Sequence, residues 1–186
     1  PREGRARGAF LTSREAPRSL EELARVVRRS AVGGEILAVE GGRTKHAWLR
    51  AGPAADVVLG TTRLRGIREH ARGDLTVTVR AGMRLVELQR ELARERQRLA
   101  VDPPVGPQAV ATVGGVFATD DAGPARLAFG SLRELCIGAT VVLPDGSVAR
   151  SGGRVIKNVA GYDLCKLYCG SRGTLGVAAE LTFRLH

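Results

Sequence analysis

The middle of the chain, from Gly106 to Gly130, most constrains the fold, because it is made largely of small residues. It is rich in glycine, alanine, threonine and proline and holds few large apolar side chains. Such a segment cannot be an ordinary helix or a regular strand throughout. Small residues over so long a stretch indicate that something large packs against the backbone. Two interpretations stay open here, namely close packing between two lobes or a groove that holds a flat, extended ligand.

Helical and strand-like patterns lie on both sides of this segment. A capping box of Ser19 and Glu22 begins one helix, and leucines at helical spacing predict a second one. A Pro-Asp-Gly turn at residues 144–146 joins two strands in a hairpin. The predicted helices cover residues 19–30 and 85–99, and the predicted strands cover residues 35–39, 56–59, 75–79, 135–143 and 177–185.

These patterns predict one α+β domain over residues 1–186, built as two lobes. The first half, about 15–100, reads as a small βα lobe. The second half, about 101–186, reads as a larger antiparallel-sheet lobe with flanking helices. We expect the two lobes to meet across the glycine-rich middle.

The chain carries a formal net charge of +10, most of it arginine spread along the whole sequence. Basic proteins attract the phosphates of nucleic acids, membrane surfaces or nucleotide cofactors. We interpret the charge as a solvated surface, while docking on an acidic partner subunit and nucleic-acid binding remain alternatives. Aromatic residues make up only 4% of the chain, fewer than base stacking usually needs, so we expect no nucleic-acid partner.

Three cysteines, Cys136, Cys165 and Cys169, form no C-x-x-C pair and lack matching histidine ligands. We expect free thiols in a reducing compartment and no metal site. No apolar run is long enough to span a bilayer, and the basic N-terminus lacks the apolar core of a signal peptide. The protein is therefore predicted to be cytoplasmic, with membrane association through partners left open.

Two further glycine-rich segments could hold a ligand or could simply serve turns. Gly41 to Lys45 follows a predicted strand, where glycines let backbone N–H groups approach phosphate oxygens and Thr44 and Lys45 add donors. This loop fits neither the Walker nor the Rossmann pattern. The other segment comprises Lys157 to Leu164 and then Gly170 to Val177, and it leads into the last strand.

Taken in order, these segments resemble the FAD-binding domain of the vanillyl-alcohol oxidase and p-cresol methylhydroxylase type, found in FAD-linked oxidases. The resemblance runs from about Pro17 to Leu185. It depends on Gly-Gly-Arg-Thr at 41–44, Thr-Val-Gly-Gly at 112–115, the Pro-Asp-Gly hairpin, Lys-Asn-Val-Ala-Gly-Tyr-Asp-Leu at 157–164 and Gly-Thr-Leu-Gly-Val at 173–177. The string at 157–164 is similar to the second FAD-binding subunit of bacterial glycolate oxidases.

The resemblance implies a non-covalently bound FAD, with the loop from Gly41 to Lys45 at its pyrophosphate. The other implied residues line the cofactor groove or complete it through backbone contacts. The implied cofactor-binding residues are Gly41, Gly42, Arg43, Thr44, Lys45, Pro104, Thr112, Gly114, Gly115, Ala118, Thr119, Gly123, Gly130, Ile137, Gly173, Gly176 and Val177. Some relatives attach the flavin to a histidine, but His46 lies downstream of the loop glycines, so we expect no covalent link.

The resemblance further implies an FAD-dependent oxidoreductase subunit that oxidises a 2-hydroxy acid, glycolate or D-lactate, to the 2-oxo acid. Electrons would pass to other glycolate oxidase-type subunits, a larger flavoprotein and an iron-sulfur subunit. Enzymes of the family continue into a second domain that covers the flavin, and the sequence ends at His186. We therefore expect that C-terminal domain to be absent and assign no catalytic residue. The alternative is a non-catalytic assembly subunit with the same fold.

Three residues depart from the family pattern. Asp120 and Glu134 stand where the family often has asparagine and aspartate. Arg172 stands where related dehydrogenases often carry an acid. The roles of these three residues are therefore not implied by the resemblance.

Overall fold

The computed structural model describes residues 12–48, 54–104, 109–153 and 163–186 of the chain. Within these ranges the strands are β1 Ser13–Glu15, β2 Leu37–Glu40, β3 Val57–Gly60, β4 Ile67–Ala71, β5 Thr76–Arg80, β6 Cys136–Val142, β7 Val148–Gly152 and β8 Val177–Arg184. The helices are α1 Leu20–Gly33, α2 Leu85–Ala93, α3 Val113–Thr119, α4 Arg126–Phe129, α5 Leu132–Leu135 and α6 Leu164–Tyr168, with a 3-10 turn at His46–Trp48. Most of the string predicted at 157–164 lies outside the described residues.

A small parallel sheet, in the order β1-β3-β2, forms one side of the molecule. Its strands are linked through α1, which begins as the sequence predicts. The Ser19 hydroxyl accepts the Glu22 N–H at 3.2 Å, and the Glu22 carboxylate accepts the Arg18 N–H at 2.7 Å. These bonds satisfy donors at the helix start that have no intrahelical acceptor. The helix then returns the chain so that β2 lies parallel to β3, with Leu37 opposite Val57.

A larger antiparallel sheet follows, in the order β4-β5-β8-β6-β7. The last strand, β8, lies in its centre and pairs with both β5 and β6. The predicted hairpin joins β6 to β7, and the Leu143 carbonyl accepts the Gly146 N–H at 2.8 Å. Gly146 has a φ of 80°, a conformation that glycine adopts without steric cost.

The apolar stripe of α1 joins the two sheets. Leu23 and Val27 are buried in one cluster with Leu59 of the parallel sheet and with Val142 and Val177 of the antiparallel sheet. Burial of such side chains contributes roughly 1.5–3 kcal/mol each. The packing of α1 against both sheets therefore fixes the position of one sheet relative to the other.

A second, larger buried cluster forms the main core. It is formed by side chains from β5, β6 and β8 together with α2, α3, α5 and α6. The predicted helix 85–99 is shorter than expected, because α2 ends at Ala93 and Arg96 takes a φ of 55°. Leu99 is nevertheless buried, and its N–H and carbonyl are both bound by the Gln89 side chain.

The predicted α+β class is confirmed, with a βα lobe and a larger antiparallel lobe. The parallel sheet uses strands up to Gly60, and the antiparallel sheet begins with β4 at Ile67. β4 and β5, although early in the chain, belong to the antiparallel sheet, because β5 pairs with the C-terminal strand β8. The lobe bounds of about 15–100 and 101–186 stay a prediction. In the small-residue middle, the described residues form α3 and α4 and otherwise irregular backbone.

Candidate functional site

A cleft lies between the loop that follows β2, the start of α3 and the segment that leads into β8. Its outer half is lined by Val39, Gly41, Gly42, Arg43, Thr44, Lys45, His46, Thr112, Gly115, Ala118, Thr119 and Arg172. Its inner half is lined by Val39, Gly41, Thr61, Ala81, Gly114, Gly115, Phe117, Ala118, Val141, Tyr168, Ser171, Arg172, Gly173, Gly176, Val177 and Ala178. Because five residues belong to both sets, the two halves adjoin and form one cleft.

The loop after β2 is held in place by Lys45. Its ammonium lies 2.6 Å from the Asp121 carboxylate and 2.5 Å from the Pro104 carbonyl oxygen. Lys45 is 7% exposed, so the ion pair is shielded from water. The sequence suggests Lys45 as a phosphate donor, but in the structure its ammonium contacts protein acceptors that fix the loop against the second lobe.

The same loop packs closely on the segment before α3. A Cβ atom on Gly42 would overlap the carbonyl group of Val110, so no other residue fits there without a backbone shift. A Cβ atom on Gly41 would overlap the Thr112 hydroxyl oxygen. These two glycines therefore allow contact between lobes, which is one of the two interpretations of small residues.

The backbone donors of this loop face no acceptor among the described residues. Across the described part of the chain, no protein oxygen accepts the N–H groups of Gly41 to Thr44. Successive unengaged N–H groups beside an open space form an arrangement that binds anions. The loop can therefore present donors to a phosphate even though Lys45 is engaged elsewhere.

The start of α3 is bound differently. The N–H of Val113 donates to Met83, that of Gly114 donates to Ala81 at 2.7 Å, and that of Gly115 donates to the Thr112 hydroxyl at 3.2 Å. Since these donors are occupied, the Thr-Val-Gly-Gly segment contributes no free backbone N–H to the cleft. It contributes small side chains, so a ligand can pack closely against its backbone.

The two glycines of α3 have different neighbours. A Cβ on Gly114 would lie 2.7 Å from Cβ of Ala81, which is closer than real contacts allow. A Cβ on Gly115 would meet only the Thr112 hydroxyl, at 3.0 Å, and would otherwise enter the cleft. Gly114 is therefore required for packing, whereas Gly115 keeps the cleft open.

The segment before β8 is fixed to the end of α3. Gly170 donates its N–H to the Phe117 carbonyl at 3.0 Å, and Arg172 donates its N–H to the Ala118 carbonyl at 2.7 Å. These bonds place the side chain of Arg172 at the cleft. The chain then enters β8 through Gly176. A Cβ atom added at this glycine would lie 2.7 Å from Cγ1 of Val141, so a larger residue would not fit without a shift.

Thirteen of the seventeen predicted cofactor-binding residues line this cleft, namely Gly41, Gly42, Arg43, Thr44, Lys45, Thr112, Gly114, Gly115, Ala118, Thr119, Gly173, Gly176 and Val177. The other four lie outside its lining. Pro104 is linked to it by the Lys45 contact, and Gly123 packs on Asp102. Gly130 ends α4, and Ile137 lies in β6.

Ten lining residues were not among those predicted: Val39, His46, Thr61, Ala81, Phe117, Val141, Tyr168, Ser171, Arg172 and Ala178. Half of them are apolar or aromatic strand or helix residues that a sequence pattern assigns to the core. Only the pairing of sheets brings them to one space. Arg172 had a signal, because it departs from the family pattern.

The charges around the cleft have one sign. Neither half is lined by a carboxylate side chain among the residues described, whereas Arg43, Lys45 and Arg172 line the outer half. Arg43 lies 3.7 Å from Glu40, which itself lies outside the lining. The cleft therefore favours an anionic ligand.

The three cysteines are free and buried. Cys169 donates to the Asp120 carboxylate at 3.3 Å, and burial together with that charge raises the pKa of its thiol. A hydrogen bond between Cys136 and Cys165 raises the pKa of the Cys136 thiol and lowers that of Cys165. Asp120 also accepts the Arg133 N–H, so its departure from the family pattern has a local role as a cap.

The described ranges hold no group of three or more histidine, cysteine, aspartate or glutamate side chains that could bind a metal ion. Among the helices described, none is both long and apolar enough to cross a membrane.

Comparison with known proteins places the chain among flavoproteins. The family model of an FAD binding domain matches residues 15–152. In sequence, the chain is 32% identical over 169 residues to the mitochondrial D-lactate dehydrogenase [cytochrome] of Arabidopsis thaliana, a match that covers 91% of this chain and 29% of that protein. It is 40% identical over 122 residues to glycolate oxidase subunit GlcE of Escherichia coli (strain K12), covering 65% of this chain and 34% of the subunit.

A third relative is glycolate oxidase subunit GlcD of Bacillus subtilis (strain 168), 31% identical over 170 residues, with 91% of this chain and 36% of the subunit covered. The chain thus spans roughly a third of the length of these curated relatives. Among solved structures, an alkyldihydroxyacetonephosphate synthase matches with a TM-score of 0.77 at 23% identity, over 93% of this chain and 31% of that one. This likeness concerns the fold alone.

Proposed function

Since this chain belongs to the family of FAD-binding domains and FAD is its cofactor, we propose that it serves in the oxidation of a 2-hydroxy acid to a 2-oxo acid. The observation that carries the proposal is the chemistry named by its relatives, glycolate and D-lactate. Both acids have a hydroxyl on the carbon next to the carboxylate. We propose glycolate or D-lactate as substrate and a glycolate oxidase-like complex as setting.

The residues of the cleft fit FAD in chemistry and in shape. FAD is elongated and carries two negative charges at its pyrophosphate. The cleft has two adjoining halves, has no carboxylate in the lining described and presents the unengaged N–H groups of Gly41 to Thr44. The small residues Gly115 and Ala118 leave room for a flat group. In this proposal the thirteen lining residues hold the cofactor, and Pro104 acts through Lys45.

When bound, FAD supplies the two-electron oxidising chemistry that no side chain can provide. The chain itself contributes binding, orientation and electrostatics. The loop after β2 offers donors to the pyrophosphate, the wall of α3 supports the flat rings, and the segment before β8 closes the inner half. No catalytic residue is assigned, because no residue that lines the described cleft is arranged as an acid–base pair.

The proposed partners are other subunits of a glycolate oxidase-type complex, a larger flavoprotein and an iron-sulfur protein, which receive the electrons. Two observations support partners. Two relatives are named as glycolate oxidase subunits, and the net charge of +10 on this chain suits an acidic docking surface. Three free, buried thiols suit a reducing compartment, so we place the complex in the cytoplasm.

The test is anaerobic reduction of the FAD-loaded chain by glycolate and by D-lactate, followed as bleaching of the flavin absorbance. Bleaching by either acid, and not by the matched carboxylic acid without a hydroxyl, is the expected result. Dithionite serves as the positive control, because it reduces any accessible flavin. A flavin that dithionite reduces but neither acid does contradicts oxidation by this chain alone.

A second candidate is a non-catalytic assembly subunit that keeps the fold and the cofactor. The observation that favours it is that two of the relatives are named as subunits of glycolate oxidase. The same experiment separates the two candidates. Rapid reduction by a 2-hydroxy acid excludes the assembly role, whereas bound but unreduced flavin supports it.

A further inference from the structure

Five residues line both halves of the cleft and so mark its middle: Val39, Gly41, Gly115, Ala118 and Arg172. Four of them are small or apolar. Arg172 is the single charged side chain of this junction, as the structure describes it. A ligand that fills both halves must pass this point.

The shape of FAD identifies what would lie there. Its pyrophosphate stands between the flavin with its sugar chain on one side and the adenosine on the other. An FAD molecule that occupies both halves therefore brings its two negative charges to the junction. We infer that the guanidinium of Arg172 binds the pyrophosphate of FAD. The inference rests on FAD binding in this cleft and is independent of which acid is oxidised.

The other cations of the cleft are already engaged. Lys45 lies 2.6 Å from Asp121, and Arg43 lies 3.7 Å from Glu40. In the part of the chain described, no carboxylate lies within the 4.0 Å ion-pair limit of the Arg172 guanidinium. Arg172 therefore has a full positive charge to offer, and a guanidinium binds phosphate oxygens in a forked geometry.

The backbone holds Arg172 at this place. Its N–H donates to Ala118 at 2.7 Å, and two residues earlier Gly170 donates to Phe117. Arg172 has a φ of 57°, a left-handed conformation that L residues other than asparagine and aspartate rarely adopt. The Cα of the residue is thus fixed over the junction while its exposed side chain can turn toward the ligand.

The test compares FAD dissociation constants of the 186-residue chain and its variants by flavin fluorescence quenching. Arg172→Gln removes the charge, Arg172→Lys keeps it, and both retain the left-handed backbone position. Arg25→Gln is the matched control, because Arg25 is exposed on α1 and does not line the cleft. Titrations are run at low and high KCl, roughly 20 and 300 mM, since salt screens exposed charges. Circular dichroism confirms that each variant is folded.

Arg172→Gln is expected to raise the dissociation constant roughly tenfold at low salt, the size of one charge-assisted hydrogen bond. The difference should shrink at high salt, and Arg172→Lys and Arg25→Gln should stay within about threefold of the parent. An Arg172→Gln constant within about twofold of the parent overturns the inference. So does an equal loss at both salt concentrations, which indicates a structural role. If neither glycolate nor D-lactate reduces the flavin, oxidation by this chain alone is contradicted, and the result for Arg172 still stands.

Discussion

At the scale of single residues, the cleft depends most on Lys45. The aliphatic chain and ammonium are buried, and the ion pair with Asp121 crosses from the loop after β2 to the end of α3. A buried ion pair offers little net stability over an apolar pair, but loss of one partner leaves an uncompensated charge. Lys45, which the sequence suggests as a phosphate ligand, therefore stabilises the position of the loop after β2.

Lys45→Met is expected to lower the free energy of unfolding by about 3 kcal/mol, because the Asp121 carboxylate stays buried without its cation. Urea denaturation measures the change. Lys166→Met is the control, since the Lys166–Asp163 pair is half exposed and should cost less than about 1 kcal/mol. The double variant Lys45→Met, Asp121→Asn should recover part of the loss; no recovery would refute the orphan-charge explanation.

Gly115 offers the sharpest test of the cleft as the cofactor site. Because its added side chain would enter the cleft and meet only Thr112, Gly115→Glu should abolish FAD retention while the fold persists. Absorbance after desalting measures retention. Gly73→Glu adds the same charge at a position with no neighbours within 4 Å and should retain FAD. Normal FAD retention by Gly115→Glu would contradict the assignment of Gly115 and of the start of α3 to the cofactor site.

At the scale of elements, three segments form the cleft, and the packing of the two sheets brings these segments together. The loop after β2, the start of α3 and the segment before β8 are far apart in sequence. α1 packs on both sheets and thereby fixes the loop relative to the other two. The loop after β2 also contacts the segment before α3 directly, because Gly42 packs against the backbone of Val110.

Gly42→Ala should destabilise the protein by roughly 1–3 kcal/mol, because its methyl group would overlap the backbone carbonyl of Val110. Thermal unfolding followed by circular dichroism provides the measurement. Gly73→Ala, made in open space, should stay within about 0.5 kcal/mol of the parent. Equal melting temperatures for the two variants would contradict the close approach of the lobes.

The elements with a clear period could be predicted from sequence, and those fixed by tertiary contacts could not. The capping box placed α1, and Pro-Asp-Gly placed the β6–β7 hairpin. α3 was not predicted, because two glycines disfavour a helix and only the Thr112 cap and the contacts to Ala81 and Met83 support it. The end of α2 was also missed, since Gln89 binds Leu99 across an unwound turn.

At the scale of the whole molecule, the small-residue middle allows close packing at Gly114 and borders an open cleft at Gly115. That this cleft holds a flat, extended ligand stays a prediction. The motifs could predict thirteen of the residues around that cleft, because these stand in the irregular segments that carry the family resemblance. The apolar walls could not be predicted, since strands such as β6 reach the cleft only through non-local pairing with β8. The family of FAD-binding domains, expected from the motifs, is confirmed.

The visible absorption spectrum of the chain, taken after incubation with FAD and removal of free cofactor, tests the central claim most directly. We predict a two-band flavin spectrum at close to one FAD per chain, with the cofactor released on denaturation because it is held without a covalent bond. A folded chain that stays colourless after exposure to FAD would contradict the assignment of the cleft as a cofactor site.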